Sequence, residues 1–286
     1  MPNRYLEIAI ETALEAGKIL RDEFDRPPDI AYKGDADLVT QADRRSEQAI
    51  VARLTKYFPD HSISAEEGTG HKRNSEFHWH VDPLDGTTNF AHKYPCFSVS
   101  IARCQTVSKA AHQAPHQTLS PNETLLAGVV YNPIYNELFA AARGEGATRN
   151  GTKISVSRVS TLATSLLCTG FPVHKRLANP NIHYYYDFTL RSHGVRRDGS
   201  AALDLACVAA GRFDGFWEFG LKPWDTAAGV LLVQEAGGTV SEFSGNPYTL
   251  GGPMVLATNS LIHEEMRKVA LAISQRDPAE PLRPPT

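Results

Sequence analysis

The chain contains Asp82-Pro83-Leu84-Asp85-Gly86-Thr87-Thr88-Asn89-Phe90, in which two carboxylates stand three residues apart, ahead of a glycine and two threonines. The apolar residues before it predict a buried strand that ends near Val81, and its proline and glycine predict a turn. Its threonines and asparagine favour the start of a helix. Asp82 and Asp85 would then face one point, beside the N–H groups of a helix start, which favour a phosphate. Taken alone, the stretch also fits a surface turn that carries two solvated acids.

Acidic residues recur at three other predicted element boundaries. Asp43 precedes a helical pattern with Ile50 and Leu54 on its apolar stripe, Glu66 follows a short apolar run, and Asp225 precedes an apolar helix. Each has an ordinary structural interpretation, namely a helix-start acid, a solvated charge and an N-cap. Four such clusters in one chain are harder to explain separately, and they indicate a shared site.

Together these segments closely resemble the inositol monophosphatase family of magnesium-dependent, lithium-sensitive sugar phosphatases. The resemblance extends from Lys33 to Gly238, and its motifs are Asp37–Asp43, Glu66-Glu67, Trp79–Phe90 and Trp224–Gly229. It implies an α/β fold, with an α+β sub-domain followed by an α/β sub-domain in a five-layer αβαβα sandwich. The active site would lie between the two halves. A homodimer is also implied by the resemblance alone.

The resemblance also implies a role for each matched residue. One Mg²⁺ would be held by Glu66, Asp82 and the Leu84 carbonyl, and a second by Asp82, Asp85 and Asp225. Glu66 would help to hold a third ion near Lys33. The residues implied in catalysis are Asp43, Glu66 and Thr87, with Asp43 polarising Thr87 toward the attacking water. The residues implied in substrate binding are Asp85, Gly86, Thr87, Gly199, Ser200, Ala201 and Glu218.

Elementary chemistry supports a metal-dependent reaction at these residues. Hydrolysis of a phosphate monoester requires charge neutralisation, an aligned water and stabilisation of the departing alkoxide. Two Mg²⁺ ions about 3.5 to 4 Å apart supply all three, and such hard cations prefer carboxylate and carbonyl oxygens. Without metal the carboxylates would repel one another and take up protons. We therefore expect the loop over residues 66–75 to be looser in the metal-free protein.

Two substrate-side features have competing interpretations. Glu218 lies in the aromatic run Phe216–Phe219, where its carboxylate would accept hydrogen bonds from a hydroxyl-rich ring or would simply form part of the rim. Arg196 and Arg197 would attract an anion or serve as interface or surface charges.

Composition limits the class of protein. A chain of 286 residues, 42% of them hydrophobic, is long enough for one large domain, and we assign it to residues 1–275 with sub-domains of about 1–155 and 156–275. The net charge of -3 argues against nucleic-acid or membrane partners. The helical pattern over Met1–Leu20 is amphipathic, unlike a signal peptide. Four isolated cysteines predict reduced thiols and a cytoplasmic location.

The chain alternates between helical and extended patterns. The first half predicts helices against a largely antiparallel sheet, including a meander from Gly128 to Val156. From about Leu162 onward, helices and strands alternate and predict a second sheet. The proline-rich residues 276–286 predict a disordered tail.

Two segments depart from the family pattern. Residues 105–124 form a polar insertion, and its His112 and His116 lack a nearby third ligand and are interrupted by a proline. On a strand, His78 and His80 would share a face with Asp82, which raises the alternative that imidazoles and a transition metal join the active site. The other interpretation of His80 is a neutral core residue.

The sequence therefore predicts a Mg²⁺-dependent phosphoric monoester hydrolase that acts on myo-inositol 1-phosphate or a related inositol or sugar monophosphate. Fructose-1,6-bisphosphate, histidinol phosphate and adenosine 3',5'-bisphosphate are alternative substrates for the same chemistry. A non-catalytic binding module on a phosphatase scaffold is the alternative from another class. No metal or base position has been replaced, which favours the enzyme.

Overall fold

The computed structural model describes residues 3–26, 30–32, 38–106, 123–171 and 181–276. Its helices are α1 (Arg4–Phe24), α2 (Gln41–Tyr57), α3 (Thr87–Ala91), α4 (Asn181–Arg191), α5 (Ala201–Ala209), α6 (Pro223–Glu235) and α7 (His263–Ser274). Its strands are β1 (Ile30–Tyr32), β2 (Leu38–Thr40), β3 (Ser62–Ala65), β4 (Phe77–Asp85), β5 (Ser98–Thr106), β6 (Glu123–Asn132), β7 (Glu137–Ala142), β8 (Gly146–Arg149), β9 (Thr152–Lys153), β10 (Leu166–Thr169), β11 (Gly194–Arg196), β12 (Gly215–Phe219), β13 (Thr239–Ser241) and β14 (Met254–Thr258). Lys33, residues 107–122 of the predicted insertion and residues 277–286 of the predicted tail lie outside the described residues.

Two large sheets form the framework. The first has seven strands in the order β3-β4-β5-β6-β7-β8-β9, and the second has five in the order β11-β10-β12-β14-β13. The first sheet is antiparallel except for the β3–β4 pair, and its second part is the predicted meander. The second sheet is mixed, since β10 runs parallel to both its neighbours whereas β14 is antiparallel to both of its own.

Helices cover both sheets in five layers. The first sheet packs against α1 and α2 on one face and against α6 on the other. On the second sheet, alternate residues of β12 point to opposite sides, with Phe216 toward α5 and α6 and Trp217 toward α4 and α7. The predicted five-layer αβαβα sandwich is thereby confirmed. Within the described residues, no helix has the length and apolarity required to cross a membrane.

The middle layer explains the composition of α5 and α6. Every residue of α6 from Thr226 to Val233 is buried, as expected for a helix that packs on both sides. One hydrophobic core includes residues of both sheets together with these two helices. The change from the first sheet to the second falls between β9 and β10, near the boundary that we predicted at residue 155. The division into sub-domains remains a proposal.

Strand β4 continues further than the sequence predicted. It runs to Asp85, past Pro83, and a bulge interrupts its pairing with β5. Asp82 pairs with Ser100 and Asp85 with Ser98, so three steps along β4 match two steps along β5. Residues three apart on a regular strand point to opposite faces, but the one extra residue brings both aspartates to the same face. The bulge accommodates Pro83, which has no N–H to contribute to the sheet.

The predicted turn occurs only after the strand, at Gly86. This residue has a φ of 99°, in the left-handed region that favours glycine. A Cβ at this position would also lie 3.0 Å from the carbonyl oxygen of Cys96. Helix α3 begins at the next residue, Thr87. The bulge and the turn thus place two carboxylates and a helix start side by side.

Candidate active site

A cavity of about 280 Å³ lies between the two halves of the chain. Its lining includes every described residue that we predicted to hold metal or substrate, namely Glu66, Asp82, Leu84, Asp85, Gly86, Thr87, Gly199, Ser200, Ala201, Glu218 and Asp225. Asp43 lies behind this lining and contacts it through Thr87. The structure therefore brings together residues that are up to 159 positions apart in the sequence, from Glu66 to Asp225.

The acidic residues of the cavity are buried close to one another. Asp82 is 2% exposed, burial raises the pKa of its carboxyl, and the charges of Glu66 and the neighbouring aspartates raise that pKa further. Burial also raises the pKa of Asp225, and the charge of Asp85 adds to the rise. Repulsion of this kind disfavours full ionisation of the metal-free cluster.

This donor set fits a hard divalent cation. The predicted ligands in the cavity lining are four carboxylate residues, Glu66, Asp82, Asp85 and Asp225, and the backbone carbonyl of Leu84, which are the ligand types that Mg²⁺ prefers. A bound cation would also compensate the repulsion that raises the pKa of Asp82 and Asp225. The chemistry of the residues therefore agrees with a metal-dependent site.

Asp85 is held by the start of helix α5. Its Oδ2 atom accepts hydrogen bonds from the Ser200 hydroxyl at 2.6 Å and from the Ala202 amide at 2.8 Å. Burial raises the pKa of Asp85 to about 6, although these two hydrogen bonds oppose the rise. Ser200, which we predicted to contact the substrate, therefore uses its hydroxyl to position a carboxylate of the cavity.

Asp43 and Thr87 form a hydrogen-bonded pair at the edge of the cavity. The Thr87 hydroxyl lies 3.0 Å from Asp43 Oδ1 and 3.1 Å from the Leu84 carbonyl oxygen. The other oxygen of Asp43 accepts hydrogen bonds from the backbone and hydroxyl of Thr40, in a capping box at the start of α2. Burial raises the pKa of Asp43, and its hydrogen bonds with Thr40 and Thr87 oppose that rise. The predicted helix-start acid thus has both roles, cap and partner of Thr87.

Asp225 occupies a different helix position from the one predicted. It is the third residue of α6, and its carboxylate accepts a hydrogen bond from the N–H of Lys222, the N-cap residue. The sequence motif placed it at the N-cap itself. Pro223 at the first position of the helix accounts for the difference, since proline is favoured there.

Glu218 closes the opposite side of the cavity. It lies at the end of β12, and burial raises the pKa of its carboxyl, with further contributions from the charges of Asp225 and Asp85. A Cβ at Gly170 would overlap the Glu218 carboxylate, so any larger residue at that position would displace this carboxylate. The packing fixes this acid inside the cavity and not on an exposed rim.

The loop that carries Glu66 is tied to helix α2. The buried Glu47 carboxylate accepts hydrogen bonds from the Glu67 amide at 2.6 Å, and from the amide and hydroxyl of Thr69, each at 2.8 Å. Further along, His71 forms an isolated bridge with Ile63 of β3. The looser conformation of residues 66–75 in the metal-free protein remains a prediction. The hydrogen bonds from Glu67 and Thr69 to Glu47 would limit how far this loop can move.

The cavity lining also contains residues that were not predicted as site residues, among them Asp204, Arg197 and Asn89. Asp204 on α5 is buried, and both its carboxylate oxygens lack a hydrogen-bond partner among the described residues. Arg197 adds a positive charge to the lining, which favours the anion-attracting interpretation over a surface role. Asn89 donates hydrogen bonds to the Cys96 and Asp198 carbonyls, both at 2.7 Å, and so joins the two halves. A polar residue on an apolar helix was the only signal for Asp204.

The imidazoles of β4 lie outside this cavity. His78 and His80 are not part of its lining, so they do not join the site as the transition-metal alternative required. His80 is buried, and burial lowers its pKa, as expected for a neutral core imidazole.

The five-layer fold and its buried cluster of oxygen ligands define a metal-dependent phosphatase. The family model described as "Inositol monophosphatase family" matches residues 1–276. The chain belongs to this family, and the predicted phosphatase function and enzyme class are confirmed.

Three similar proteins illustrate the match. Inositol-1-monophosphatase of Synechocystis is 44% identical over 275 residues, covering 95% of this chain and 90% of the relative. Nus factor SuhB of Pseudomonas aeruginosa is 42% identical over 263 residues, covering 89% and 91%. The solved structure of inositol monophosphatase from Anabaena superposes with a TM-score of 0.81 at 40% identity, covering 96% of this chain and 97% of that one.

The pKa shifts predict a pH-dependent effect of Mg²⁺ on stability. Asp85 has a pKa of about 6 in the folded metal-free protein against a usual 3.8, so its contribution to stability is present below about pH 4 and is lost as the pH rises through 6. Metal binding needs the deprotonated carboxylates. We expect Mg²⁺ to raise the thermal unfolding midpoint more at about pH 8 than at about pH 5. Equal shifts at both pH values, measured by calorimetry, would contradict this.

The anchor at Glu47 predicts a local change in loop opening. In Glu47→Gln the acceptor loses its charge, which weakens its hydrogen bonds to the Glu67 and Thr69 amides. We expect trypsin to cleave after the exposed Lys72 or Arg73 several-fold faster, as followed by mass spectrometry of the metal-free protein. Glu7→Gln, at an exposed position of α1, is the control and should cleave at the original rate.

Proposed function

We propose that this phosphatase hydrolyses myo-inositol 1-phosphate, or a related inositol or sugar monophosphate, to the free alcohol and phosphate with Mg²⁺ as cofactor. The observation that carries the proposal is the bulge of β4, which directs Asp82 and Asp85 into one cavity beside Glu66 and Asp225. The name of the Synechocystis relative supports an inositol 1-phosphate substrate.

The proposed ligand sets share one carboxylate. Glu66, Asp82 and the Leu84 carbonyl would hold one ion, and Asp82, Asp85 and Asp225 would hold another. A third ion near Glu66 would involve Lys33, which lies outside the described residues. When bound, Mg²⁺ neutralises the charge of the phosphoryl group, activates water and stabilises the departing oxygen. The protein supplies pre-positioned oxygens, because Asp85 is fixed by Ser200 and Ala202.

Thr87 and Asp43 supply the proton acceptor. The single Thr87 proton is donated either to Asp43 Oδ1 or to the Leu84 carbonyl oxygen, both of which lie within hydrogen-bond distance. When Asp43 accepts it, a lone pair of Thr87 Oγ1 is available for a hydrogen of the attacking water. The water would pass its proton to Thr87 Oγ1 as Thr87 passes its own proton to Asp43 Oδ1, and Thr40 holds Asp43 in place through the other carboxylate oxygen.

The two halves of the substrate would meet different surfaces. The phosphate would bind beside Asp85 and against the backbone of Gly86 and Thr87, where amide groups favour an anion. The alcohol half lies against Gly199, Ala201 and Glu218, where the buried carboxylate accepts hydrogen bonds from ring hydroxyls. Ser200 also lines the cavity and remains a proposed substrate contact, while its hydroxyl positions Asp85.

Several finer properties remain predictions. We propose that the protein is a homodimer located in the cytoplasm. We also propose that it binds neither nucleic acid nor membranes. The four cysteines are free, which agrees with a reducing compartment. Fructose-1,6-bisphosphate, histidinol phosphate and adenosine 3',5'-bisphosphate remain the alternative substrates.

A panel of phosphate esters tests the substrate. We expect phosphate release with the highest kcat/KM for myo-inositol 1-phosphate, a requirement for Mg²⁺, and inhibition by millimolar Li⁺, which would occupy a Mg²⁺ position with too little charge. Asp225→Asn should lose turnover because it removes a ligand charge. A higher kcat/KM for another ester would identify that ester as the preferred substrate. Full activity in Asp225→Asn would contradict the assignment of Asp225 as a metal ligand.

Thr87→Val tests the proton acceptor. The substitution keeps the shape of the side chain but removes the hydroxyl, so we expect kcat to fall by about 10²- to 10⁴-fold. The stabilisation by Mg²⁺ should persist, since the carboxylates are unchanged. Thr189→Val, at an exposed position of α4, is the matched control. A kcat within a factor of about two of the original would exclude Thr87 from this role.

A further inference from the structure

A second group of metal-ligating side chains lies on the first sheet, outside the catalytic cavity. It consists of His78, His80, Cys104 and Glu123, and we call it the histidine cluster. One ligand atom from each residue lies within 4.8 Å of the others. The two Nε2 atoms are 2.9 Å apart, and the Glu123 carboxylate oxygens lie 3.2 Å from His78 Nε2 and 3.5 Å from His80 Nε2. Four potential ligands from three strands thus converge on one point.

Sheet register explains this convergence. His78 and His80 are two apart on β4 and share a face, and His78 pairs directly with Cys104 of β5. A bulge after Arg103 shifts the next pairing, so that Cys104 faces Leu125 of β6. Glu123, two residues before Leu125, therefore lies on the same face as the imidazoles. The sequence alone showed only the two histidines.

Hydrogen bonding alone leaves this arrangement with a conflict. If both Nε2 atoms carry protons, the two N–H groups face each other at 2.9 Å. If only one carries a proton, the other presents a lone pair to the Glu123 carboxylate. A cation at the centre would accept the lone pairs of both imidazoles and of the carboxylate. The two imidazoles and the carboxylate are therefore arranged as ligands of a metal ion would be.

The cluster combines burial with access. Cys104 is fully buried, and the side chains of His78 and Glu123 are 12% and 24% exposed. A groove of about 530 Å³ includes His78, His80 and Glu123 in its lining, together with residues 62–65 of β3 and Trp224. An ion can therefore reach the three ligands from solvent, while the sheet holds them in place.

We propose that the histidine cluster is a site for a transition-metal dication, and that Zn²⁺ fits it best. His78 Nε2, His80 Nε2, a Glu123 oxygen and the Cys104 thiolate would be the four ligands. Bonds of about 2.0 to 2.3 Å in a tetrahedron place such atoms about 3.3 to 3.8 Å apart. The imidazole and carboxylate atoms are 2.9 to 3.5 Å apart, and Cys104 Sγ lies within 4.8 Å of them, so small shifts would complete the geometry. On binding, Cys104 releases its thiol proton to solvent, and the two anionic ligands neutralise the charge of the ion.

This site differs from the oxygen-lined cavity in chemistry. Imidazole and thiolate ligands select Zn²⁺ or a similar ion over Mg²⁺, which prefers oxygen. His80 Nδ1 is buried without a hydrogen-bond partner among the described residues, so the outer contact that usually orients a ligating imidazole is missing there. We therefore expect a weaker affinity than in a fully supported structural zinc site.

Cobalt titration tests the proposal on the full chain. The protein is freed of metal with a chelator, supplied with excess Mg²⁺ to occupy oxygen ligands, and titrated with Co²⁺ under reducing conditions. We expect one Co²⁺ per chain to give a thiolate-to-cobalt charge-transfer band, and Zn²⁺ to displace it. His78→Ala and Glu123→Gln should each weaken binding by at least about tenfold. Cys104→Ala should remove the band.

The controls separate this cluster from other thiols and imidazoles. Cys207→Ala and His92→Ala change residues outside the cluster and should leave the band and the affinity unchanged. Circular dichroism of each variant reports that it remains folded. A missing band in the original protein, or unchanged Co²⁺ affinity in both His78→Ala and Glu123→Gln, would overturn the proposal. A band that disappears in Cys207→Ala would do the same.

Discussion

The bulge in strand β4 is the constraint on which the catalytic cavity depends. Without it, Asp82 and Asp85 would point to opposite faces of the sheet, since side chains alternate along a strand. The Ser46 hydroxyl donates a hydrogen bond of 2.8 Å to the Pro83 carbonyl oxygen, so helix α2 supports the irregular backbone. Gly86 then turns the chain into α3. A local departure from regular pairing, held by a neighbouring helix, thus creates the shared face of the two carboxylates.

The cavity concentrates negative charge where the fold would otherwise bury apolar groups. Asp82 and Asp225 have raised pKa values because burial and mutual repulsion disfavour their charged forms. Apart from Asp204, most of the residues that α5 and α6 bury in the middle layer are apolar. Hydrogen bonds from Ser200 and Ala202 to Asp85 also connect the first sheet to α5. The buried acids that the proposed function requires therefore lower the stability of the fold, and the apolar core compensates this cost.

Local sequence patterns predicted most of the helices and strands, but they could not predict how strands that are distant in sequence pair with one another. The glycine and threonines at 86–88 correctly indicated a turn and a helix start, and Asp43 indicated a helix start. The continuation of β4 past Pro83 was missed because a bulge depends on the register of β5. The hydrogen bond from Ser200 to Asp85 was not predicted, because the two residues are 115 positions apart in the sequence. Glu123 could not be joined to His78 and His80 for the same reason. Asp204 lacked any motif at all.

The shared middle layer has a consequence for folding. Helix α6 packs against β6 of the first sheet as well as β14 of the second, although nearly a hundred residues separate it from β6. Contacts so distant in sequence close large loops, which slows the search for the native topology. During synthesis the first sheet emerges before α6, which covers one of its two faces, so that apolar face stays open to water or to other nascent chains. Asp225 joins the other acids of the cavity only after the preceding 224 residues have been synthesised, so the complete cavity is assembled late.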